Sequence, residues 1–219
     1  MKTKFALIIF LVVFAGIAVY AQDARITELT GVVEIKETGG QWQPAAVGAA
    51  IAKATVISTG IKSTAVVAVG SSTVSVSPLT VLSLEELLQQ SDTEEAVLFL
   101  RTGRVKADVT PPSGMKTEFT VRSPTTTASV QGTSFTFGGG KLYVHSGKVA
   151  FANSKGQKVY VNKNQHSYAN GSHDNKLSLP FEAESASTRP TFNDLDNTGS
   201  KGNKPQKQMP QVSIDINWD

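Results

Sequence analysis

The three histidines of the chain are its most versatile chemical groups, and their spacing limits what they can do. They are His145, His166 and His173. A neutral imidazole can act as a general base or bind a metal near neutral pH. The turn-forming Asn170-Gly171 separates the last two, and a metal site would need a third converging ligand with supporting hydrogen bonds. This spacing is typical of surface histidines, so we predict no metal site and no bound cofactor.

The serine and acidic residues do not form a catalytic pattern. No Gly-x-Ser-x-Gly segment occurs, and neither Ser129 nor Ser134 has a histidine close to it in the sequence. The pairs Glu85-Glu86 and Glu94-Glu95 are adjacent residues that would point to opposite faces of a strand, and Ser91–Glu95 is predicted to be a solvated turn. The chain also contains no cysteine, which excludes thiol chemistry. We therefore predict that the protein is not an enzyme.

Four aromatic side chains could provide stacking surfaces for a ligand: Trp42, Tyr143, Tyr160 and Tyr168. Such surfaces would suit a glycan of the cell wall. For Trp42, however, packing over one end of a β core is the preferred interpretation.

The first 21 residues predict export. Lys2 and Lys4 precede an apolar run from Phe5 to Val19, and Val19-Tyr20-Ala21 is a suitable site for cleavage before Gln22. The run is shorter than the ~20 residues that cross a bilayer. We therefore expect residues 1–21 to be a cleaved signal peptide and the mature protein to be periplasmic or secreted.

Without residues 1–21 the chain is almost electrically neutral. Loss of Lys2 and Lys4 leaves 19 basic and 18 acidic side chains, which is a net charge of +1. This balance gives no electrostatic basis for binding nucleic acid. No later segment is apolar enough to span a membrane.

Apolar residues with a period of two dominate from Arg25 to Leu179 and predict strands. Glu118–Val121 and Ser134–Phe137 each place two large apolar side chains on one face. Many short strands between Gly and Pro turns predict an all-β single domain over residues 22–184, as a β-sandwich or a β-solenoid-like roll. The segment Leu82–Gln90 fits a helix or a strand about equally well.

Glycine marks the expected turns. A Gly-x-Val-x-apolar pattern follows Thr or Ser three times, at Gly31, Gly103 and Gly147. It predicts a tight turn with positive φ, then a strand whose second and fourth residues face the core. We expect a recurring hairpin at these positions. Gly138-Gly139-Gly140 is not followed by the Gly-Lys-Ser/Thr of a phosphate loop, so it is predicted to be a loose hairpin loop.

The composition changes after Glu184. Residues 185–219 are mostly polar, with Gly and Pro, and are predicted to be a flexible tail. The last eight residues, 212–219, differ because apolar and polar residues alternate strictly. Such a segment is typical of a strand that adds to an exposed sheet edge, of its own domain or of a partner. The alternative is a disordered end whose residues alternate by chance. The predicted partner-binding residues are its four apolar members, Val212, Ile214, Ile216 and Trp218.

The order of several motifs resembles that of the FecR domain family over about residues 26–170. The matching segments are Gly31-Val32-Val33 with Trp42, Ile57-Ser58-Thr59-Gly60, Val74-Ser75-Val76, Leu98-Phe99-Leu100 leading to Gly103-Arg104-Val105, and, most specifically, Phe119–Pro124, Val130–Phe135 and Val144–Val149. The resemblance implies an all-β domain exposed in the cell envelope. In transmembrane regulators of this family, such a domain relays a signal from an outer-membrane receptor to a cytoplasmic sigma factor.

Two departures from the family pattern limit what the resemblance implies. Only Met1–Lys4 precede the apolar run, so we expect no cytoplasmic anti-sigma segment, and Gln131 stands where the family commonly has arginine. We therefore expect a stand-alone, non-enzymatic module of the cell envelope for protein interaction, scaffolding or signalling, with a protein partner whose identity is open. The alternative is a domain that binds cell-wall glycan.

Overall fold

The described residues of the chain form two β-sheets. The computed structural model describes residues 24–169 and 176–182, and within them it contains strands and no helix. In chain order the strands are β1 Ala24–Thr30, β2 Val33–Lys36, β3 Gln43–Pro44, β4 Ala50–Ile51, β5 Val56–Thr59, β6 Thr64–Val69, β7 Ser72–Val76, β8 Val81–Gln90 and β9 Thr93–Thr102. They continue as β10 Arg104–Asp108, β11 Lys116–Arg122, β12 Thr126–Val130, β13 Ser134–Gly138, β14 Lys141–Ser146, β15 Lys148–Asn153, β16 Lys158–Asn162, β17 Gln165–Tyr168 and β18 Phe181–Glu182.

Each sheet has nine strands. Sheet A has the order β18-β17-β14-β13-β10-β7-β6-β1-β4, and sheet B has the order β16-β15-β12-β11-β9-β8-β5-β2-β3. Every strand pair is antiparallel except β9 with β11, which are parallel because the chain crosses to sheet A through β10 between them. The chain thus winds repeatedly between the two sheets, and the all-β prediction is confirmed.

The core lies between the two sheets and follows directly from the alternation in the sequence. In β13, Phe135 and Phe137 are fully buried, while Thr136 between them faces outward. Phe137 of sheet A meets Phe151 of sheet B edge to face, with 6.1 Å between ring centroids. Burial of one large apolar side chain stabilises a fold by about 1.5–3 kcal/mol. This core gives each sheet one buried face and one outer face.

The Gly-x-Val-x-apolar pattern marks the places where the chain changes sheets, so the expected recurring hairpin was wrong. Gly103 lies between β9 of sheet B and β10 of sheet A, which do not pair with each other. Its φ is +90°, and an added Cβ would lie 2.2 Å from the Thr80 hydroxyl oxygen. The buried Thr80 side chain accepts a hydrogen bond from the N–H of Arg104. Gly31 with Ser63 and Gly147 with Thr133 repeat this arrangement, a positive-φ glycine against a buried hydroxyl.

A second correction concerns Glu94, which was expected in a solvated turn. It lies in β9 and is 1% exposed. Its carboxylate accepts hydrogen bonds from the backbone N–H of Ser71, at 3.1 and 3.2 Å, and from the Ser71 hydroxyl, at 2.7 Å. Because Ser71 belongs to the β6–β7 turn of sheet A, this acidic side chain ties the two sheets together at one end.

The structure also decides the segments that pattern alone left open. Leu82–Gln90 is the larger part of strand β8, and β13 and β14 form a hairpin through Gly139 and Gly140, both with positive φ. That hairpin was predicted, but its turn is tight rather than loose. The predicted signal peptide, the predicted tail and the segment 212–219 lie outside the described residues.

Candidate interaction surfaces

Five ring-bearing side chains lie together on the outer face of sheet A. Cross-strand register places Tyr143 of β14 opposite His166 of β17, and His166 opposite Phe181 of β18. The ring centroids of Tyr143 and His166 are 4.4 Å apart, and those of His166 and Phe181 are 5.6 Å apart and nearly parallel. His145 and Tyr168 complete the set through edge-to-face contacts with Tyr143 and Phe181. We call these five residues the aromatic row.

A β-bulge lies at His145 of the aromatic row. The pairing of β13 with β14 shifts by one residue between Ser134 and Phe135, so that His145 has no direct partner on β13. Its Nε2 atom instead shares a hydrogen bond of 2.8 Å with the hydroxyl of Thr136. Bulges re-aim side chains in this way. Tyr143 and His145 lie on the same outer face, on either side of the buried Val144, because side chains alternate along β14.

A small polar cluster continues from His145 along sheet A. The hydroxyl of Ser134 donates a hydrogen bond to Asp108, and the Lys106 ammonium lies 3.2 Å from the same carboxylate. Partial burial raises the pKa of Asp108, but the Ser134 hydrogen bond and Lys106 outweigh it, so the pKa is below its ordinary value. The pKa of His145 is below its ordinary value. Partial burial lowers it, the charge of Lys106 lowers it further, and the charge of Asp108 opposes them.

The side chains of this polar cluster do not form the hydrogen-bonded chain of serine, histidine and carboxylate that a catalytic triad requires. The Ser134 hydroxyl is bonded to Asp108, while His145 is bonded to Thr136. In a serine-type relay the histidine would stand between the hydroxyl and the carboxylate. In the part of the chain that the structure describes, no three His, Asp or Glu side chains are grouped so that they could hold a metal ion.

The outer face of sheet B carries a second feature, a groove of about 630 Å³ beside the exposed Tyr160. Its floor is formed by small side chains that cross-strand register aligns with Tyr160. The register pairs Tyr160 with Ala150, Ala150 with Ser129, and Ser129 with Thr120. We call this the Tyr160 groove.

The structure places the other sequence-predicted residues apart from these two surfaces. Trp42 is 45% exposed, and the Lys36 ammonium lies 5.9 Å from its ring centroid, so the expectation that it closes the core was wrong. It lies just before the two-residue strand β3, the edge of sheet B, where little of the core remains to cover it. His173 and the predicted strand residues Val212, Ile214, Ile216 and Trp218 lie outside the described residues.

Sequence reasoning found some members of each surface and missed others. Tyr143, His145, His166, Tyr168 and Tyr160 were candidates on residue type alone. Three other contributors were missed because nothing local marks them: Phe181, Asp108 and Lys148. Lys158 was missed as well. The spacing Lys158-x-Tyr160 does put a cation and a ring on one strand face, and that signal was available in the sequence.

The match to a known protein family agrees with the resemblance seen in the sequence. Residues 55–157 match the family described as FecR protein, a narrower range than the one over which the motifs were traced. No curated protein matches the chain. Two crystal structures of a protein from Parabacteroides distasonis, provisionally described as an anti-sigma factor, are similar at 19% identity, with a TM-score of 0.46. The match covers 58% of this chain and 59% of that protein. No helix of the described residues is long and apolar enough to cross a membrane.

Proposed function

We propose that this chain, which carries a FecR domain at residues 55–157, is a non-enzymatic protein-interaction module of the cell envelope that acts in signalling or scaffolding. The observation that carries the proposal is the aromatic row. Tyr168 and Phe181, at its outer end, are 42% and 47% exposed. Tyrosine and other aromatic side chains supply much of the energy of protein interfaces, because they bury a large area with little loss of side-chain freedom.

The position of the aromatic row suits a partner that binds across a sheet. Tyr143 and His166 are in direct ring contact, and His166 in turn packs against Phe181 at the outer end of the row. The outer end is therefore held in place from its inner side. A supported ring loses less entropy on binding than a free one. The row also includes Phe181 of β18, a strand of only two residues at the edge of sheet A as described. A partner could therefore contact the rings and the edge of the sheet together.

The envelope location is part of the proposal and rests on residues 1–21. A charged start, a short apolar run and a suitable cleavage site support export. Mass spectrometry of the native protein is expected to find an N-terminus at Gln22. Membrane-embedded protein that retains Met1 would contradict this location.

The segment 212–219 is proposed as a second point of contact. Its four apolar residues would share one face of a strand, and burying each large side chain stabilises a complex by roughly 1.5–3 kcal/mol. The intervening residues, if flexible, reach about 30 Å on average, at 5–6 Å times the square root of the residue number. Replacing both Ile214 and Ile216 with Asp is expected to reduce partner binding. Unchanged recovery and oligomeric state in this double variant would remove the segment from the proposal.

Site-specific crosslinking tests the aromatic row directly. A photoreactive residue in place of Lys141, next to the row, is expected to capture one defined envelope protein in cells. The same residue in place of Lys53, which lies near the β4 edge of sheet A, serves as the control and is expected not to capture it. Tyr168→Ser with Phe181→Ser should abolish the crosslink, whereas Tyr160→Ser on the other sheet should not. Equal crosslinking from both positions, or none from either, would refute the proposal.

A further inference from the structure

The Tyr160 groove is a separate surface that the aromatic row does not use. Strands β11, β12, β15 and β16 lie side by side at one end of sheet B. The three inner members of the aligned row, Thr120, Ser129 and Ala150, are small and half-buried, while Tyr160 at the edge is large and 56% exposed. A row of small side chains ending in a ring produces a depression with one aromatic wall. The Gln131–Thr133 loop closes one end of it.

Two lysines stand over the aromatic wall. The ammonium groups of Lys148 and Lys158 lie 5.9 and 5.4 Å from the centroid of the Tyr160 ring. Within the described residues, neither ammonium has a carboxylate within salt-bridge distance. Cation–π contacts at exposed sites are weak, so an anion can draw the ammonium groups away from the ring. The groove therefore offers two positive charges and an aromatic face at the same place.

The remaining lining is polar and able to bind hydroxyl groups. The hydroxyls of Thr120 and Ser129 share a hydrogen bond of 3.1 Å on the floor, and they keep unused lone pairs and one O–H. Glu118 and Gln131 are exposed at the other side of the groove. A carboxylate and an amide there can accept and donate hydrogen bonds to a ligand.

We infer that the Tyr160 groove binds an acidic saccharide, that is, a sugar ring that carries a carboxylate or phosphate group. The sugar ring packs on Tyr160, its anionic group lies between Lys148 and Lys158, and its hydroxyls bind Glu118 and Gln131. A free phosphate would use only the lysines and would leave Tyr160, Glu118 and Gln131 without a contact. An apolar ligand would leave the floor hydroxyls without water or a partner, which is unfavourable.

Titration by NMR with defined ligands tests this assignment. The probes are an oligogalacturonate, a phosphorylated mannose oligosaccharide, an uncharged chito-oligosaccharide of similar length, an acidic peptide, and inorganic phosphate. Binding of either acidic saccharide, with resonance changes centred on Tyr160 and Ala150, supports the inference, and the two together identify the anionic group. We expect the uncharged saccharide to bind roughly tenfold more weakly. It cannot form the two exposed charge pairs with Lys148 and Lys158, each worth up to about 0.7 kcal/mol.

Matched variants make the result specific to the groove. Tyr160→Ala is expected to weaken binding about threefold to tenfold, and Lys148→Gln and Lys158→Gln each by up to about threefold. None of the three should change the fold, since all three side chains are exposed. Tyr168→Ala and Lys141→Gln, on the outer face of sheet A, are the controls and should bind like the wild type.

Four outcomes would overturn the inference. They are no binding of either acidic saccharide up to about 10 mM, equal binding of the uncharged one, equal binding of inorganic phosphate, and equal binding of the acidic peptide. Because the crosslinking test of the aromatic row uses the other sheet, either proposal can fail while the other stands.

Discussion

Replacing Gly103 with alanine tests whether the passage from sheet B to sheet A needs a residue without a side chain. The backbone of Gly103 has a φ of +90°, in the left-handed region, which costs an L-residue with a side chain about 1–2 kcal/mol. The new Cβ would also lie 2.2 Å from the hydroxyl oxygen and 2.5 Å from the Cα atom of Thr80. Rotating the Thr80 side chain would leave the second of these clashes in place, so the backbone itself must move.

The expected loss of stability follows from three contributions. Overpacking of a buried position costs about 1–3 kcal/mol. Displacing Thr80 also weakens its hydrogen bonds with the backbone of Arg104, at 3.1 and 3.2 Å, which are worth about 0.5–1.5 kcal/mol. Together with the backbone term, Gly103→Ala is expected to lower the free energy of unfolding by roughly 3–6 kcal/mol.

A second glycine provides the control. Gly139 has a φ of +58° in the β13–β14 hairpin, but an added Cβ there would meet nothing within 4 Å. Gly139→Ala therefore carries only the backbone cost of about 1–2 kcal/mol. Urea unfolding of both variants, followed by circular dichroism, measures the difference. If the two free energies of unfolding agree within about 0.5 kcal/mol, the packing of Gly103 against Thr80 does not constrain the passage between sheets.

Three further predictions concern other parts of the domain. Glu94→Ala removes the acceptor of the Ser71 N–H and hydroxyl, and should lower the free energy of unfolding by about 1–3 kcal/mol; a melting temperature equal to that of the wild type would contradict this. Ser134→Ala removes a hydrogen bond that lowers the pKa of Asp108, so the pKa of Asp108 should rise in an NMR titration. The folded pKa of Asp108 is depressed, so its contribution to stability is present above the unfolded pKa and is lost as the pH falls through the folded pKa. The stability of the Ser134→Ala variant should therefore depend less on pH in the acid range. A chain that ends at Glu184 should melt within a few degrees of the full-length protein, and a large loss would show that the tail belongs to the core.

The sequence alone was sufficient to predict the all-β fold and part of its core, although it left Leu82–Gln90 open and misplaced Glu94 and Trp42. Alternation with a period of two is a local property, because successive side chains on a strand point to opposite faces wherever the strand lies. The burial of Phe135 and Phe137 follows from that rule, and so does the position of Tyr160 on an outer face. The absence of cysteine and the near-neutral charge likewise excluded classes of chemistry before any contact was known.

The tertiary structure decided which strands are neighbours, and therefore what the glycine pattern means and where the surfaces lie. Gly103 predicts a turn by itself, but whether the next strand pairs with the last one or joins the opposite sheet depends on residues distant in sequence, such as Thr80. Glu94 is buried for the same reason, because its hydrogen-bond partner, Ser71, belongs to the other sheet. Likewise, register between strands, which the sequence of a single strand does not contain, brings Tyr143, His166 and Phe181 into one row.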